Sequence, residues 1–273
     1  MNNKAADLPG RFREIISDPL NIAIKRDPLA GMVTGNNVFL HNGLQVAKQG
    51  ALAYCGSFSD VLVFNRGVHE PLEEFVFQQV INQLPSAPIM LELGSYWAHY
   101  SMWLKKTHAD ASVYMVEPND SNMICGKHNF NINNLSGTWI SEFVGHNAFS
   151  VDRFFAEFTD VKKLDILHSD IQGYEVEMLD GAKSSLNAQL IDYVFVSTHS
   201  QEIHLKVVEQ LKQQQYVVEI SSDYDFETTS FDGFVFASSP RIPRMFNNFI
   251  PMGRTEIVKA SPEQIASYLK TVI

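Results

Sequence analysis

Apolar and polar positions follow two different rhythms along the chain, and the change comes near residue 89. Before that point, residues 38–47 form two apolar runs around an Asn-Gly pair, which predicts a β-hairpin with a type I′ turn. The apolar stretches 51–54 and 60–64 predict further short strands. Residues 70–84 carry apolar side chains at helical spacing. The first third of the chain is therefore expected to form a small β-rich region followed by one helix.

Beyond residue 89, short apolar runs alternate with stretches of helical periodicity. The apolar runs predict five strands, at residues 89–93, 112–116, 138–144, 164–168 and 192–197. Helices are expected after the first strand up to residue 106, at 121–131, at 174–186, and over the stripe of Ile203, Val207 and Leu211. Strands that are apolar throughout are those that helices cover on both faces, so we expect a parallel sheet.

The end of the chain follows another pattern. The apolar runs 216–220 and 231–237 have no helix between them, which predicts an antiparallel hairpin, and Ser-Pro-Glu-Gln at 261–264 predicts the capped start of a terminal helix. The whole pattern predicts an α/β fold: a doubly wound, mostly parallel, Rossmann-like sheet with an antiparallel C-terminal hairpin and a small N-terminal β-rich extension. We expect three divisions, namely an N-terminal extension at 1–66, the sheet domain at 67–240 and a C-terminal extension with the terminal helix at 241–273.

Composition narrows the class of protein. The 273 residues are 45% hydrophobic and 11% aromatic, which excludes intrinsic disorder. With 31 acidic and 21 basic side chains the formal net charge is −10, which disfavours nucleic acid and anionic membranes as partners. No apolar run has the length of a transmembrane helix and the first residues contain no apolar signal segment, so we expect a cytoplasmic protein. Cys55 and Cys125 are too few for a disulfide framework or a four-ligand zinc site.

Polar residues and glycines follow four of the predicted strands. In open α/β sheets, ligands bind at the carboxyl ends of the strands, near the point where the strand order reverses. The convergence of such residues is more informative than any one of them. The candidate site residues at these strand ends are Glu92, Gly94, Ser95, Glu117, Asp170 and His199.

The first two strand ends indicate the class of ligand. Gly94 is not followed by the further glycines that a dinucleotide site needs, and Tyr96 and Trp97 would crowd a pyrophosphate. Glu117 comes 23 residues after Gly94, close to the usual spacing of an acid that binds ribose hydroxyls. Together these features favour an adenosyl ligand without a pyrophosphate, namely S-adenosylmethionine. The structural alternatives are a plain tight turn at Gly94 and a solvated loop acid at Glu117.

The fourth and fifth strand ends indicate where chemistry takes place. Asp170 follows the fourth strand, and Gly173 and Glu175 come next at the start of a helix. If the two strands are neighbours, His199 lies beside Asp170 and is a candidate base for a hydroxyl nucleophile. The alternatives are that Asp170 only caps the helix and that His199 is a satisfied polar group. We assign no histidine to a metal site, because His199 and His204 lack the spacing of a zinc-binding pair on a helix.

The most specific motif follows the fourth strand. Residues 165–175 read Asp-Ile-Leu-His-Ser-Asp-Ile-Gln-Gly-Tyr-Glu, and Leu-Asp-Gly-Ala follows at 179–182. In these residues the chain resembles the FkbM family of S-adenosylmethionine-dependent methyltransferases, which have the class I methyltransferase fold. Leu-Glu-Leu-Gly-Ser at 91–95 is similar to the family's first motif, and Val-Glu-Pro at 116–118 is similar to its second. Further matches lie at 150–154, 196–200 and 232–234 and at Asn129, Asn131 and Asn133, so the resemblance covers residues 67–237.

The resemblance implies methyl transfer from S-adenosylmethionine to an oxygen, typically a hydroxyl of a sugar or another small natural product. It places Glu117 on the ribose and Glu92, Gly94 and Ser95 toward the methionine portion, with Asn147 in the adenine pocket. Asp170 is expected beside the cofactor amine or the acceptor, and His199 is the candidate base.

Other expectations concern the surroundings of this site. We expect no divalent cation, because a histidine stands where catechol-type methyltransferases have an acid. The N-terminal β region and the helix from residue 70 are expected to cover the acceptor pocket, with residues 223–230 as a mobile lid. The 19 phenylalanines are compatible with a buried interface in a homo-oligomer.

One departure from the family pattern leaves alternatives open. The family's first motif usually continues Gly-Ala-Asn-x-Gly, whereas residues 94–98 read Gly-Ser-Tyr-Trp-Ala. This substitution favours, as an alternative, a non-catalytic adenosyl-binding or scaffold protein. An NAD-dependent oxidoreductase is less favoured, because it needs the missing glycines. Methylation of nucleic acid is disfavoured by the net charge and by the lack of an Asn/Asp-Pro-Pro-aromatic segment after the fourth strand.

Overall fold

The N-terminal region combines short helices with a small sheet. The computed structural model describes residues 8–54, 56–145 and 148–272. Helix α1 (Leu8–Ser17) begins this region, and the helices α2 (Asp60–Phe64) and α3 (Pro71–Ile81) end it. Between them lies an antiparallel three-stranded sheet of β1 (Val33–Thr34), β2 (Asn37–Phe39) and β3 (Gln45–Ala47).

The predicted hairpin around the Asn-Gly pair is present, but its turn is of another type. The N–H group of Leu40 donates to the carbonyl of Leu44 at 2.7 Å, and that of Gly43 donates to the carbonyl of Leu40 at 3.0 Å. Gly43 has a φ of 82°, whereas Asn42 does not have a positive φ. The loop therefore has three residues, with a type I turn closed by a left-handed glycine, and the predicted type I′ turn is wrong.

The strands predicted at 51–54 and 60–64 are also wrong. The first stretch forms turns, and the second forms the helix α2. Val61 and Leu62 are buried while Phe64 is exposed. The apolar residues of this short helix therefore point both into the core and into solvent. Four apolar residues in a row carry too little periodicity to separate a strand from a short buried helix. Asp60, in the first turn of α2, suits the positive end of the helix dipole.

A seven-stranded sheet forms the centre of the molecule. Its strand order is β6-β5-β4-β7-β8-β10-β9, and β10 runs antiparallel to both of its neighbours while the other pairs are parallel. The strand order reverses between β4 and β7. The strands are β4 (Ile89–Leu93), β5 (Ser112–Val116), β6 (Thr138–Ile140), β7 (Leu164–Ser169), β8 (Ile191–Thr198), β9 (Val217–Ser222) and β10 (Gly233–Ser238). The predicted fold class is confirmed, and the C-terminal hairpin inserts its second strand between β8 and β9.

Helices connect the strands and end the chain. They are α4 (His99–Thr107), α5 (Asp120–Ile132), α6 (Val151–Glu157), α7 (Glu175–Asp180), α8 (Lys183–Asn187), α9 (Gln201–Gln213), α10 (Arg254–Ile257) and α11 (Pro262–Val272). The helix predicted at 174–186 is two helices, α7 and α8. The predicted start of α11 is confirmed, since Gln264 N–H donates to Ser261 Oγ at 3.3 Å and Ser261 N–H donates to Gln264 Oε1 at 2.7 Å.

Two apolar clusters cover the two faces of the sheet. Met90 and Ile166 belong to one cluster and their chain neighbours Leu91 and Leu167 to the other, as expected of strands covered on both faces. The first cluster also contains Val38 and other residues of the N-terminal region, so that region packs directly on the sheet. The three predicted divisions of the chain stay a prediction. None of the helices in the described ranges has the length and hydropathy needed to cross a bilayer.

Candidate active site

One cavity lies at the carboxyl ends of β4, β7 and β8, where the strand order reverses. Its volume is about 570 Å³, within the range of about 300–1,000 Å³ that is typical of small-molecule sites. The predicted site residues that line the cavity are Glu92, Gly94, Ser95, Asp170 and His199. The rest of the cavity wall is rich in aromatic and acidic side chains, among them Tyr54, Trp97, Tyr100, Glu70 and Asp232.

Gly94 is required by the packing of two strand ends. Its φ is 71°, in the left-handed region, and its N–H group donates to the carbonyl of Val116 at 2.9 Å. A Cβ atom on Gly94 would lie 1.8 Å from the carbonyl oxygen of Asp170. Glycine therefore lets the loop after β4 approach the end of β7, and the site needs it although the further glycines of the family motif are missing.

The loop between β4 and α4 has an unusual backbone that neighbouring groups hold in place. Tyr96 and Ala98 have φ values of 41° and 60°, a region that is costly for residues with a side chain. The Tyr96 N–H group donates to Glu117 Oε2 at 3.0 Å, and Asn129 Nδ2 donates to the carbonyl of Trp97 at 3.1 Å. The substituted motif thus forms a defined aromatic wall of the cavity.

Glu92 and Ser95 present polar atoms to the cavity from buried positions. Oε2 of Glu92 accepts the N–H group of Ser101 at 3.2 Å, and burial raises the pKa of Glu92 to about 7. Ser95 Oγ has no hydrogen-bond partner in the part of the chain that the structure describes. A buried hydroxyl without a partner costs free energy, so a ligand that bonds Ser95 would remove that cost.

Glu117 lies apart from the other predicted residues and does not line the cavity. Its side chain is buried, Oε2 accepts the N–H group of Tyr96, and Oε1 accepts that of Asn119 at 2.8 Å. A carboxylate offers about four acceptor positions, so Glu117 keeps capacity for ribose hydroxyls. Asn147, predicted in the adenine pocket, lies outside the described residues, as does Cys55.

Asp170 and His199 are neighbours, as expected from adjacent parallel strands. Nε2 of His199 lies 3.2 Å from Asp170 Oδ1 and 3.5 Å from Asp232 Oδ1. Its Nδ1 lies 2.7 Å from Oε1 of Glu175, which is fully buried. The glutamate at the end of the 165–175 motif therefore fixes the histidine, and β10 brings a second aspartate to the same ring.

These contacts decide the charge of His199. Burial would lower the pKa of His199, but hydrogen bonds to Asp170 and Glu175 and the charge of Asp232 raise it to about 11. The ring is therefore an imidazolium at neutral pH, with a proton on each nitrogen. An imidazolium has no lone pair with which to accept a hydroxyl proton, which is a physical objection to the role of base.

Asp232, directly before β10, is held toward its neutral form, whereas His199 is held in its charged form. Burial raises the pKa of Asp232, the charge of His199 opposes this, and the negative charges of Asp170 and Glu70 add to the rise, giving about 8. Asp170 is different, because its pKa is lowered by its hydrogen bond to His199 against the effect of burial. Of the three, Asp232 is the group that exchanges its proton nearest to neutral pH.

Sequence reasoning missed the acids of α3. Glu73 and Glu74 are buried, and Glu70 accepts the hydroxyl of Tyr100 at 2.8 Å just before the helix begins. Oε1 of Glu73 lies 2.6 Å from Nε2 of His168. The sequence did contain a signal for these acids, namely a pair of glutamates inside a run that is otherwise mostly apolar. Buried acids are costly unless partnered, so such a pair indicates polar partners inside the fold.

Among the described residues, two groups of three side chains hold potential metal ligands within 4.8 Å of one another. The first is Asp170, His199 and Asp232, in which the imidazolium of His199 lies 3.2 Å from one carboxyl group and 3.5 Å from the other. The second is buried and consists of His41, Glu74 and His99, of which His99 lines the cavity.

The cavity suits the charge of S-adenosylmethionine. The cofactor carries a sulfonium and an amino group, both positive, which carboxylates and aromatic faces attract. Trp97 supplies an aromatic face, and Ser95 supplies an unpartnered hydroxyl. The carboxylates on the wall are those of Glu70, Glu92, Asp170 and Asp232.

Solved structures of similar fold include several methyltransferases. A SAM-dependent methyltransferase from Agrobacterium tumefaciens is 12% identical, covers 75% of this chain and 70% of its own, and has a TM-score of 0.47. A precorrin-6y C5,15-methyltransferase from Geobacter metallireducens is 14% identical, with 60% and 87% covered and a TM-score of 0.44. TrmK from M. capricolum, in complex with S-adenosylhomocysteine, is 15% identical, with 72% and 82% covered and a TM-score of 0.42. A comparison with curated protein sequences finds no match.

A family model settles the relationship. The model described as the methyltransferase FkbM domain matches residues 70–218, which is more than half of the chain. The matched range contains the motifs at 91–95, 116–118 and 165–175. It confirms the resemblance and, with it, S-adenosylmethionine as the cofactor. The chain belongs to the FkbM family of S-adenosylmethionine-dependent methyltransferases.

Proposed function

We propose that the protein transfers the methyl group of S-adenosylmethionine to a hydroxyl oxygen of a small molecule, such as a sugar or another natural product. The observation that carries this proposal is the cluster of Asp170, His199 and Asp232 on the cavity wall beside Gly94 and Ser95. The cluster joins a fixed positive charge to a carboxyl group that titrates near neutral pH, next to the loop of the family's first motif.

The cofactor-binding roles follow from charge and position. We assign Glu92, Ser95 and the backbone at Gly94 to the methionine portion, with Asp170 toward the amino group. Glu117 is assigned to the ribose, and Asn147 stays our prediction for the adenine pocket. When bound, S-adenosylmethionine supplies an electrophilic methyl group on its sulfonium sulfur. The support for these assignments is the buried position of Glu92 and the unpartnered hydroxyl of Ser95.

Methylation of a hydroxyl requires a group that takes its proton. One O–CH₃ bond forms, one S–CH₃ bond breaks, and the hydroxyl proton must leave the acceptor. We assign the uptake of this proton to Asp232, because a group with a pKa near the working pH can accept and then release it. His199, held by Asp170 and Glu175, would donate a hydrogen bond to the acceptor oxygen rather than act as the base. Asp170 and His199 thus remain our candidates for catalytic residues.

The walls of the cavity favour a small acceptor. Tyr54 and Phe58 of the N-terminal region and Phe231 before β10 line it, so apolar faces of a sugar or a ring system would find aromatic partners. Tyr54, Phe58, His69 and Glu70 bring the N-terminal region to the cavity, which supports the expectation that this region covers the acceptor. A net charge of −10 does not suit an anionic polymer.

A second candidate function is adenosyl-ligand binding without turnover. The observation that favours it is that both carboxylate oxygens of Glu117 already accept backbone N–H groups, one of them from Tyr96 in the substituted loop. A site that binds the cofactor through Glu92 and Ser95 but cannot orient its ribose would bind without transferring the methyl group.

A methyl-transfer assay tests the proposal. The protein is incubated with S-adenosylmethionine carrying a labelled methyl group and with matched pairs of small acceptors that differ only in a hydroxyl, an amine or a thiol. The proposal expects label on hydroxyl acceptors, and a loss of about 10²–10⁴-fold in rate for Asp232→Asn with little change in cofactor affinity. Cofactor binding without labelled product on any acceptor would favour the second candidate, and transfer to amines alone would contradict the first.

A further inference from the structure

Three histidines and one glutamate meet at one side of the cavity, and the proposed methyl transfer assigns no role to any of them. His41 comes from the loop between β2 and β3, His69 from the segment before α3, Glu74 from α3 itself, and His99 from the first position of α4. All four side chains are 3% exposed or less. Ionisable groups are rarely brought together at such depth without an interaction that compensates their burial.

The two carboxylate oxygens of Glu74 have different surroundings. Oε1 accepts the backbone N–H groups of His69 at 2.8 Å and Glu70 at 3.0 Å, and it lies 2.7 Å from Nδ1 of His69. Oε2 accepts no hydrogen bond of good geometry in the described part of the chain, and it faces Nε2 of His41 at 3.1 Å. The protein thus orients the carboxylate through Oε1 and points Oε2 at a histidine nitrogen.

His99 is the second unusual group. Neither of its ring nitrogens has a hydrogen-bond partner among the described residues, although only 1% of the residue is exposed. The ring stacks on Trp97 at 5.0 Å and touches His69 and Tyr100 edge-on. A buried polar group without a partner is destabilising, so its retention calls for a ligand.

We propose that His41, Glu74 and His99 bind one divalent transition-metal ion of the first row, such as Zn²⁺. One atom from each of the three lies within 4.8 Å of the others. Two imidazole nitrogens and one carboxylate oxygen are ligands that zinc and its neighbours prefer, whereas Mg²⁺ and Ca²⁺ prefer sites made of oxygens. The 3.1 Å between His41 Nε2 and Glu74 Oε2 is close to the separation of about 3.3 Å that tetrahedral bonds of about 2.0–2.1 Å require.

The surroundings supply part of what such a site needs besides ligands. Nδ1 of His69 lies 2.7 Å from Oε1 of Glu74, which is where the outer partner of a metal ligand is usually found. His99 lines the 570 Å³ cavity, and His41 lines a second cavity of about 300 Å³. Two of the three ligands thus border a cavity from which an ion could enter, and an entry path is among the requirements for a metal site.

The ion would join three separate parts of the fold. It would tie the N-terminal hairpin to α3 and to the start of α4, directly after the loop in which Tyr96 and Ala98 are left-handed. That loop lacks the glycines of the family motif, so a ligand at its end would stabilise a costly backbone. The inference does not depend on the proposed methyl transfer, because binding and stability are its readouts.

Metal titration of stripped protein tests the site. The full-length protein is treated with a chelator, dialysed, and titrated with Zn²⁺, or with Co²⁺ for its visible absorption spectrum, while bound metal per chain and the melting temperature are measured. We expect one ion per chain, a higher melting temperature in its presence, and a Co²⁺ spectrum of nitrogen and oxygen ligation. His99→Leu should weaken binding at least about 100-fold, since loss of even an outer partner of a ligand costs about 10–100-fold. Without metal, this variant should keep its stability, because His99 makes no hydrogen bond to lose.

Two further variants make the result specific. His204→Gln is the matched control: His204 is buried in α9 with both ring nitrogens bonded, to Thr198 Oγ1 and Ser221 Oγ, so its loss should lower stability but not metal binding. Glu74→Gln keeps an oxygen for the backbone N–H groups and should also lose the ion, which guards against a folding defect in His99→Leu. Absence of bound metal in the wild type would overturn the proposal. So would binding that survives His99→Leu and Glu74→Gln but is lost in His199→Gln, because the ion would then sit among the cavity aspartates.

Discussion

Replacement of Asp18 by asparagine should stabilise the protein by an amount that depends on pH. Asp18 is 4% exposed and connects the N-terminal region to the segment before β10. Its Oδ1 accepts the N–H group of Leu20 at 2.8 Å, and its Oδ2 accepts the hydroxyl of Thr229 at 2.5 Å. Burial raises the pKa of Asp18 from 3.8 to about 6, although both hydrogen bonds favour the ionised form. The folded protein therefore holds the proton of Asp18 more tightly than the unfolded chain does.

The size and the pH window of the effect follow from this difference. A pKa difference of one corresponds to about 1.36 kcal/mol, so the rise from 3.8 to about 6 corresponds to about 3 kcal/mol. Since the folded state binds more protons in this window, the free energy of unfolding falls as pH rises from 3.8 to about 6. The free-energy cost of burying ionised Asp18 is absent below pH 3.8 and complete above about pH 6. Asparagine keeps an oxygen for Leu20 and carries no charge, so the gain should reach about 3 kcal/mol above the window and vanish below it.

Urea unfolding at a series of pH values measures this gain. The wild type and Asp18→Asn are compared by circular dichroism on both sides of the window, with Thr229→Val as a second variant that keeps the carboxyl group and removes its hydrogen-bond donor. Thr229→Val should lower stability, and more so above the window than below it. An equal gain for Asp18→Asn at all pH values, or a loss of stability above the window, would refute the electrostatic reasoning.

The same contact bears on the predicted lid at residues 223–230. Besides the bond from Thr229 to Asp18, the carbonyl of Ser230 accepts Nη1 of Arg11 at 3.1 Å, and Tyr224 of this segment lines the cavity. The segment is thus fastened to α1 and to the turn that follows it. Mobility of the segment stays a prediction, and Asp18→Asn should leave it in place because the asparagine side chain can still bond Thr229.

Three further predictions concern the site. Gly94→Ala should lower the melting temperature and the cofactor affinity, because a left-handed alanine costs about 1–2 kcal/mol and its Cβ would lie 1.8 Å from the carbonyl oxygen of Asp170. Thermal melts measure the first effect and titration calorimetry the second. Gly67→Ala should release the N-terminal hairpin, because its Cβ would lie 2.1 Å from the backbone nitrogen of His41, and proteolysis confined to that hairpin would show it. The methyl-transfer rate should rise with pH toward about 8 as Asp232 ionises, and Asp232→Asn should flatten this profile. An unchanged profile in Asp232→Asn would place the proton acceptor elsewhere.

The parallel half of the sheet could be predicted because its strands are mostly apolar. Runs such as 89–93 and 164–168 carry apolar residues on both faces, and the rule that parallel strand ends share one edge then predicts Asp170 beside His199 when the two strands are neighbours. The helix at 60–64 could not be separated from a strand, because four apolar residues in a row fit both. The local pattern also could not show that β10 inserts beside β8, which is what brings Asp232 to the histidine.

The buried histidine cluster was beyond sequence reasoning for a different reason. His41, Glu74 and His99 come from a hairpin loop, the middle of a helix and the start of another helix, and no fixed spacing relates them. Their meeting depends on the close approach of Gly67 to His41, where a Cβ atom would leave no room. Only the tertiary packing of the N-terminal region on the sheet creates it. The contact of Glu175 with His199 could not be predicted either. An acid at the start of a helix can equally serve only to stabilise the positive end of the helix dipole.

Titration calorimetry with S-adenosylmethionine, S-adenosylhomocysteine and NAD measures whether this family member holds the adenosyl cofactor at the ends of β4 and β5. Glu117→Gln is the test variant. Glu219→Gln on β9 is its matched control, since Glu219 also accepts a backbone N–H group, from Phe246 at 2.6 Å, but lies on the edge strand of the sheet farthest from β5 and β6. We expect saturable binding of both adenosyl ligands and not of NAD, weakened in Glu117→Gln and unchanged in Glu219→Gln. Failure of the wild type to bind either adenosyl ligand, or binding of NAD alone, would contradict this expectation.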